Sequence, residues 1–189
     1  MILSDLFGKD RNKKVFIILH INGRLSPESR CRNYEEPLSK VFRKVKWGTI
    51  TGGGTELKEN GEPLSCDIEI EVKKRHKPSL VAFLQSLEIF PVDSSITYEK
   101  EKYELGTLEG VALYLNARSE NYAKYNINEL VKDIDKALGD TYTIWSGWEG
   151  RKETALYFYG VDYEAMKKRL IPIIKTHPLC EKCRMEQIC

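Results

Sequence analysis

The chain has 189 residues, with 30 Lys plus Arg against 28 Asp plus Glu, a net charge of +2. That balance gives no support for a protein that coats nucleic acid by charge, and none for a strongly acidic tail. With 41% apolar and 31% charged residues, the chain can bury a core and still present a polar surface, so composition describes one globular domain or two small lobes.

The opening MILSDLFGKDRNKK is charged and has neither an apolar run of signal length nor a small-residue cleavage site. The longest apolar run, VFIIL at 15–19, is far below the ~20 residues that span a bilayer. A cytoplasmic location and no membrane partner are expected. Residues 1–50 hold 11 basic and 5 acidic residues, while the remainder is acidic, which reads as a basic solvated face near the N-terminus.

In chain order, VFIILHI (15–21) reads as a buried strand, closed by Asn22-Gly23. Asn33 precedes an amphipathic helix with Leu38, Val41, Phe42 and Val45 on one side and Pro37 in its first turn. KWGTIT (46–51) is a strand, and GGGTELKENGEP (52–63) a glycine-rich loop or hairpin connection. LSCDIEIEV (64–72) alternates, with Ile68, Ile70 and Val72 on one face and Asp67, Glu69 and Glu71 on the other. Pro78 opens a helix bearing Leu80, Val81 and Leu84, and SSITYEK (94–100) is a strand.

The second half repeats this order. GVALYLNA (110–117) is a strand, and Asn126 or Asn128 caps a helix that Gly139 ends. TYTIWSGWEG (141–150) and ETALYFYG (153–160) are strands, Asp162 caps a helix containing Pro172, and CRMEQIC (183–189) closes as a strand. The result is βαββαβ twice. The expected fold is α+β: two tandem ferredoxin-like halves, each an antiparallel sheet with helices on one face. The expected domains are 1–103, carrying the basic N-terminal segment, and 104–189, joined near 101–110.

Helices on one face leave the other face free for a ligand or partner. Alternation then places Asp67 and Glu69 on the free face of the first half, and Tyr157 and Tyr159 on that of the second, opposite Leu156 and Phe158. Trp145 and Trp148 flank Gly147, with Glu149 and Gly150 next, so a strand end joins an aromatic surface to a carboxylate. That pairing suits a cationic or ring-bearing ligand; the competing account is packing and turn capping. Asp67 and Glu69 could hold a divalent ion or serve as acid and base, although His20, His76 and His177 lie far apart and an acidic solvated face explains them as well. GTITGGGT (48–55) lacks the phosphate-loop pattern and leads into a strand.

Five cysteines do not make a disulfide framework, and the C-x-x-C of Cys180 and Cys183 lacks the second pair of a tetrahedral zinc site. No metal and no cofactor are expected. The strings WGTITGGGTELKENGEPLSCDIEIEV and WEGRKETALYFYG, followed by a helix ending in HPLC, resemble an uncharacterised bacterial family across roughly residues 46–189. The resemblance implies one compact unit and attaches no activity.

The functional expectation is a non-catalytic binding or regulatory protein, holding a small molecule or a protein at the cleft between halves or on an open sheet face, with a homodimer as a possible assembly. The alternatives are a carboxylate-dependent enzyme and an RNA-binding module that stacks bases on sheet aromatics. Nucleic acid is disfavoured because Asp67, Glu69 and Glu71 repel phosphate, and ETALYFYG lacks the basic-glycine-aromatic pattern.

Overall fold

The computed structural model describes residues 12–189. The N-terminal charges read from sequence, up to Arg11, lie outside the described residues. In chain order the strands are β1 (Lys14–Ile21), β2 (Gly48–Leu57), β3 (Pro63–Lys73), β4 (Ser95–Tyr98), β5 (Glu101–Glu104), β6 (Glu109–Asn116), β7 (Ile144–Glu149), β8 (Glu153–Gly160) and β9 (Arg184–Gln187). The helices are α1 (Pro27–Arg30), α2 (Glu36–Val45), α3 (Lys77–Gln85), α4 (Glu120–Lys124), α5 (Ile127–Leu138) and α6 (Tyr163–Thr176).

The strands form a five-stranded sheet of order β2-β3-β1-β4-β5 and a four-stranded sheet of order β7-β8-β6-β9. All paired strands are antiparallel. Counted within each half, strands two, three, one and four lie side by side in both sheets, with a helical segment after the first and third. That is the ferredoxin-like order, twice, and the fold is α+β.

Side-chain alternation sets the faces. Val15, Ile17, Leu19 and Ile21 of β1 are buried with Ile68, Ile70 and Val72 of β3, and they pack on Leu38 and Phe42 of α2 and Leu80 and Leu84 of α3. The reverse face stays open: Phe16 is 53% exposed, so β1 is buried on one face rather than two. In the second sheet Val111, Leu113, Leu156 and Phe158 meet Leu130 and Ile134 of α5 and Met166 and Leu170 of α6. The reverse face of that sheet is closed. Ala112, Tyr114, Ala155, Tyr157 and Tyr159 join the core of the first sheet. β6 and β8 are therefore buried on both faces, which is why GVALYLN and ALYFY read as continuous apolar runs.

Three elements differ from the sequence expectation. The first helical segment starts earlier, at Pro27, where the Ser26 side chain accepts from Ser29 N. Asn33 lies inside a π-helical segment, Cys31–Glu35, with Glu36 N–H donating to Cys31 O. Pro37 follows directly and has no N–H to offer a four-residue ladder, so a five-residue turn ahead of it absorbs the break. Glu101–Glu104, read as linker, forms edge strand β5 against β4.

Gly52, Gly53 and Gly54 are the third difference. They lie within β2, opposite Glu69, Ile68 and Asp67, after a register shift between Ile50 and Gly52. None of the three has positive φ. A Cβ on Gly53 would sit 2.8 Å from the Asp67 carbonyl oxygen, whereas one on Gly54 would meet nothing within 4 Å. Gly54→Ala is therefore expected to leave stability unchanged or raise it by about 0.5 kcal/mol, while Gly53→Ala lowers it. Urea denaturation of the two variants checks the contrast.

Candidate ligand groove and the buried seam

β7 is an edge strand, and its alternation splits its residues between two surroundings. Ile144 and Trp148 pack toward the core shared by both sheets. Trp145 stands over the α5 side, beside Val131, Tyr142 and Phe158. From α1 and its π-helical continuation, the Arg32 guanidinium reaches to 5.8 Å from the Trp145 ring centre. Between α5 and β7 runs a groove of about 230 Å³, lined by Ile127, Asn128 and Val131 on one wall and by Trp145, Trp148 and Glu149 on the other.

Local chemistry builds that wall. Gly150 donates its N–H to Glu153 O at 2.9 Å and closes the turn into β8. A Cβ on Gly150 would lie 2.3 Å from the Trp148 ring, so only glycine lets the indole fold over this turn. The Glu149 carboxylate is exposed and makes no hydrogen bond or ion pair among the described residues. The sequence thus brings the Trp145 indole, the Trp148 segment and an unpaired carboxylate to one groove.

Asp67 and Glu69 are elsewhere, on the open face of the first sheet, as alternation predicts. Asp67 Oδ1 lies 2.8 Å from His20 Nδ1, and Thr51 Oγ1 donates to Glu69 Oε1 at 2.5 Å. On the same face Lys14 Nζ is 2.7 Å from Glu71. Each acid has a partner. Among the described residues no cluster of three or more His, Cys, Asp or Glu could hold a metal ion.

Tyr157 and Tyr159 point away from their helices, as expected, yet both are 0% exposed. They form the seam between the sheets instead of an open surface. At its centre is Glu62, from the β2–β3 hairpin, itself 3% exposed. Its carboxylate accepts from Arg24 Nη1 at 2.7 Å, Lys58 Nζ at 3.1 Å, Tyr114 Oη at 2.6 Å and Tyr157 Oη at 3.0 Å. Arg24 also donates to Tyr114 Oη, and its backbone N–H donates to Tyr159 Oη at 2.6 Å. The Arg184 guanidinium lies 3.5 Å from the centre of the Tyr114 ring and holds Glu153 through two bonds of 2.9 and 3.0 Å.

Burial works to raise the Glu62 carboxyl, but the Tyr114, Lys58 and Tyr157 hydrogen bonds and the Arg24 charge outweigh it and hold the group at about 2. Burial, then the bond to Glu62, pushes the Tyr114 hydroxyl up to about 12. Tyr157 and Tyr159 are driven upward, chiefly by burial. All three phenols stay protonated; Tyr114 and Tyr157 donate to Glu62, and Tyr159 accepts from Arg24. Sequence reasoning missed Glu62 and Arg24: each lies in a loop, and neither carries a motif. What the seam can do is lock the two sheets together.

No family model matches the chain, and no curated protein matches it. Among solved structures it is similar to a candidate monooxygenase of Fusobacterium nucleatum, with 12% identity over 92% of this chain and 90% of that one and a TM-score of 0.35. A candidate monooxygenase of Lactobacillus acidophilus gives 11% identity, 92% of each chain and a TM-score of 0.33. The first two RRM domains of a yeast poly(U)-binding protein give 11% identity, 94% and 99% coverage and a TM-score of 0.28. The class assigned to this chain, tandem ferredoxin-like sheets, rests on its own strand order. No helix among the described residues is long and apolar enough to cross a membrane.

Proposed function

We propose that this chain is a non-catalytic binding protein that seats a ligand in the groove between α5 and β7. The observation that carries the reading is the unpaired Glu149 carboxylate beside Trp145 and Trp148. The Trp145 indole takes a ring, and an exposed carboxylate takes a nearby positive charge, so the ligand class is an aromatic or alkyl ammonium or a guanidinium group. The same chemistry serves a free small molecule or a basic side chain on a protein partner. The two sheets are read as duplicated halves, 1–103 and 104–189, acting as one body in a reducing, cytoplasmic setting that suits the five free cysteines.

The test is a tryptophan-fluorescence titration with phenethylammonium and with an arginine-rich peptide. Glu149→Gln is expected to weaken binding about tenfold, near 1.4 kcal/mol, while shifting stability by no more than about 0.5 kcal/mol. A large stability loss with unchanged binding assigns Glu149 to the turn and ends the reading. An RNA role has less support, because Tyr157 and Tyr159 are buried and the open face of the first sheet carries Asp67, Glu69 and Glu71. Retention on heparin at low salt is expected to be absent.

A further inference from the structure

Cys180 and Cys183 lie between α6 and β9, at the end of a 3-10 turn, Pro178–Cys180. Glu181 has φ −58° and ψ 120°, and Lys182 has φ +57°. The Cys183 N–H donates to Cys180 O at 3.0 Å. Those angles and that bond define a type II β-turn with a cysteine at each end. Such a turn keeps its first and fourth Cα within about 7 Å. A disulfide spans roughly 4.4–6.8 Å between Cα atoms, so the backbone is already near bridging geometry.

The turn is also held in place. Asn121 Nδ2, from α4, donates to Pro178 O at 3.2 Å and to Glu181 Oε2 at 2.8 Å, and Leu179 N–H donates to His177 Nδ1 at 3.2 Å. The two cysteines stand at the first and fourth positions of one turn. Cys180 is 4% exposed, within the core of the second sheet, while Cys183 is partly exposed at its margin. Of the pair, Cys183 is the more accessible to reagents.

We propose that Cys180 and Cys183 form a reversible dithiol–disulfide pair, with Cys183 as the attacking thiol, Cys180 as the resolving thiol and low-molecular-weight disulfides as the oxidant. The Cys183 thiolate attacks one sulfur of the small disulfide, breaks its S–S bond and releases one thiolate, which takes up a proton. The Cys180 sulfur then gives up its proton and attacks the mixed disulfide at Cys183, releasing the second small thiol. The protein loses two protons and two electrons, which the small disulfide takes up as it becomes two thiols.

The order of attack agrees with the electrostatics. The neighbouring Cys180 thiol and a backbone N–H, against burial, lower the Cys183 thiol to about 7. The neighbouring Cys183, with burial, pushes Cys180 up. Burial raises Cys66 to about 12 and Cys189 to about 11, and Cys31 is raised by burial and by Glu35 and Glu36. Cys183 is the one described cysteine shifted toward the thiolate. Because the closed loop is so short, the bridge removes little denatured-state entropy, so the expected readout is chemical rather than thermal.

The experiment incubates the full chain with oxidised glutathione and maps peptides by mass. The wild type is expected to lose two hydrogens in the peptide holding both cysteines, with no lasting glutathione adduct. Cys180→Ser is expected to stop at a mixed disulfide on Cys183, and Cys183→Ser to form neither product. Brief alkylation of native wild type, which requires no variant to fold, is expected to label Cys183 first. A stable adduct on wild-type Cys183, or first labelling at Cys31, overturns the proposal.

Discussion

Replacing Glu62 by alanine is expected to cost about 3–5 kcal/mol of folding free energy, the range for breaking a buried ion pair by removing one member. The reason is what the change strands. Arg24, with its side chain 14% exposed, would keep its charge without the carboxylate 2.7 Å away. Tyr114 and Tyr157 would each lose a charged acceptor in a closed seam. Glu62→Gln keeps the shape and some acceptor capacity, so a smaller loss is expected. Urea denaturation of both variants measures the difference. A loss below about 1 kcal/mol for Glu62→Ala would mean that the seam does not hold the sheets together.

The same carboxylate sets a pH dependence. Its folded pKa, about 2, lies below the ordinary 4.5, so it contributes stability that is fully present above about pH 4.5. That contribution is lost as pH falls from there toward 2. One pKa unit corresponds to about 1.4 kcal/mol, so the whole effect is on the order of 3 kcal/mol. The wild type is expected to lose stability steeply between about pH 4.5 and 2, and Glu62→Gln to show a flatter profile across that window. Parallel profiles for the two proteins would assign the acid response to other carboxylates.

How much of this was legible in the sequence depends on the range of the interaction. β3 was plain, because Ile68, Ile70 and Val72 alternate with three acids over a strand whose one face is buried. Its partner across the sheet, β1, concealed its open face, since Phe16, Ile18 and their buried neighbours are all apolar. The alternation of β8 showed that Tyr157 and Tyr159 face away from their helices, yet period alone cannot say what covers a face. Here the cover comes from the first half, through Arg24 and Glu62, far away in sequence and in loops without periodicity. The Trp-Glu-Gly turn was legible as a strand end with a glycine closure. The groove beside it was not, because its other wall belongs to α5, and no local pattern states which helix edge a strand meets.

Gly106→Ala is expected to be the most damaging of the glycine substitutions with positive φ, costing about 3 kcal/mol or more. Gly106 has φ +101°, a conformation that a side chain rarely adopts. An added Cβ would also lie 2.0 Å from the carbonyl oxygen of Pro91 and 2.7 Å from its carbon. The Pro91 backbone is held from both sides. Leu105 N–H donates to Ser94 O at 2.8 Å, Val92 N–H to Leu108 O at 2.8 Å, and both Thr107 N–H and Leu108 N–H to Phe90 O at 3.0 Å. These bonds tie the segment between β5 and β6 to the one between α3 and β4, where the chain leaves the first sheet for the second. Relieving the clash therefore means breaking this ladder, not shifting one side chain. Gly61 supplies the control. It has φ +83°, but a Cβ there would meet nothing within 4 Å, so Gly61→Ala carries the conformational cost alone, about 1 kcal/mol. Urea denaturation of the two variants separates strain from collision. Equal losses would mean that the Pro91 carbonyl yields, and that the crossing between the sheets is looser than its hydrogen bonds imply.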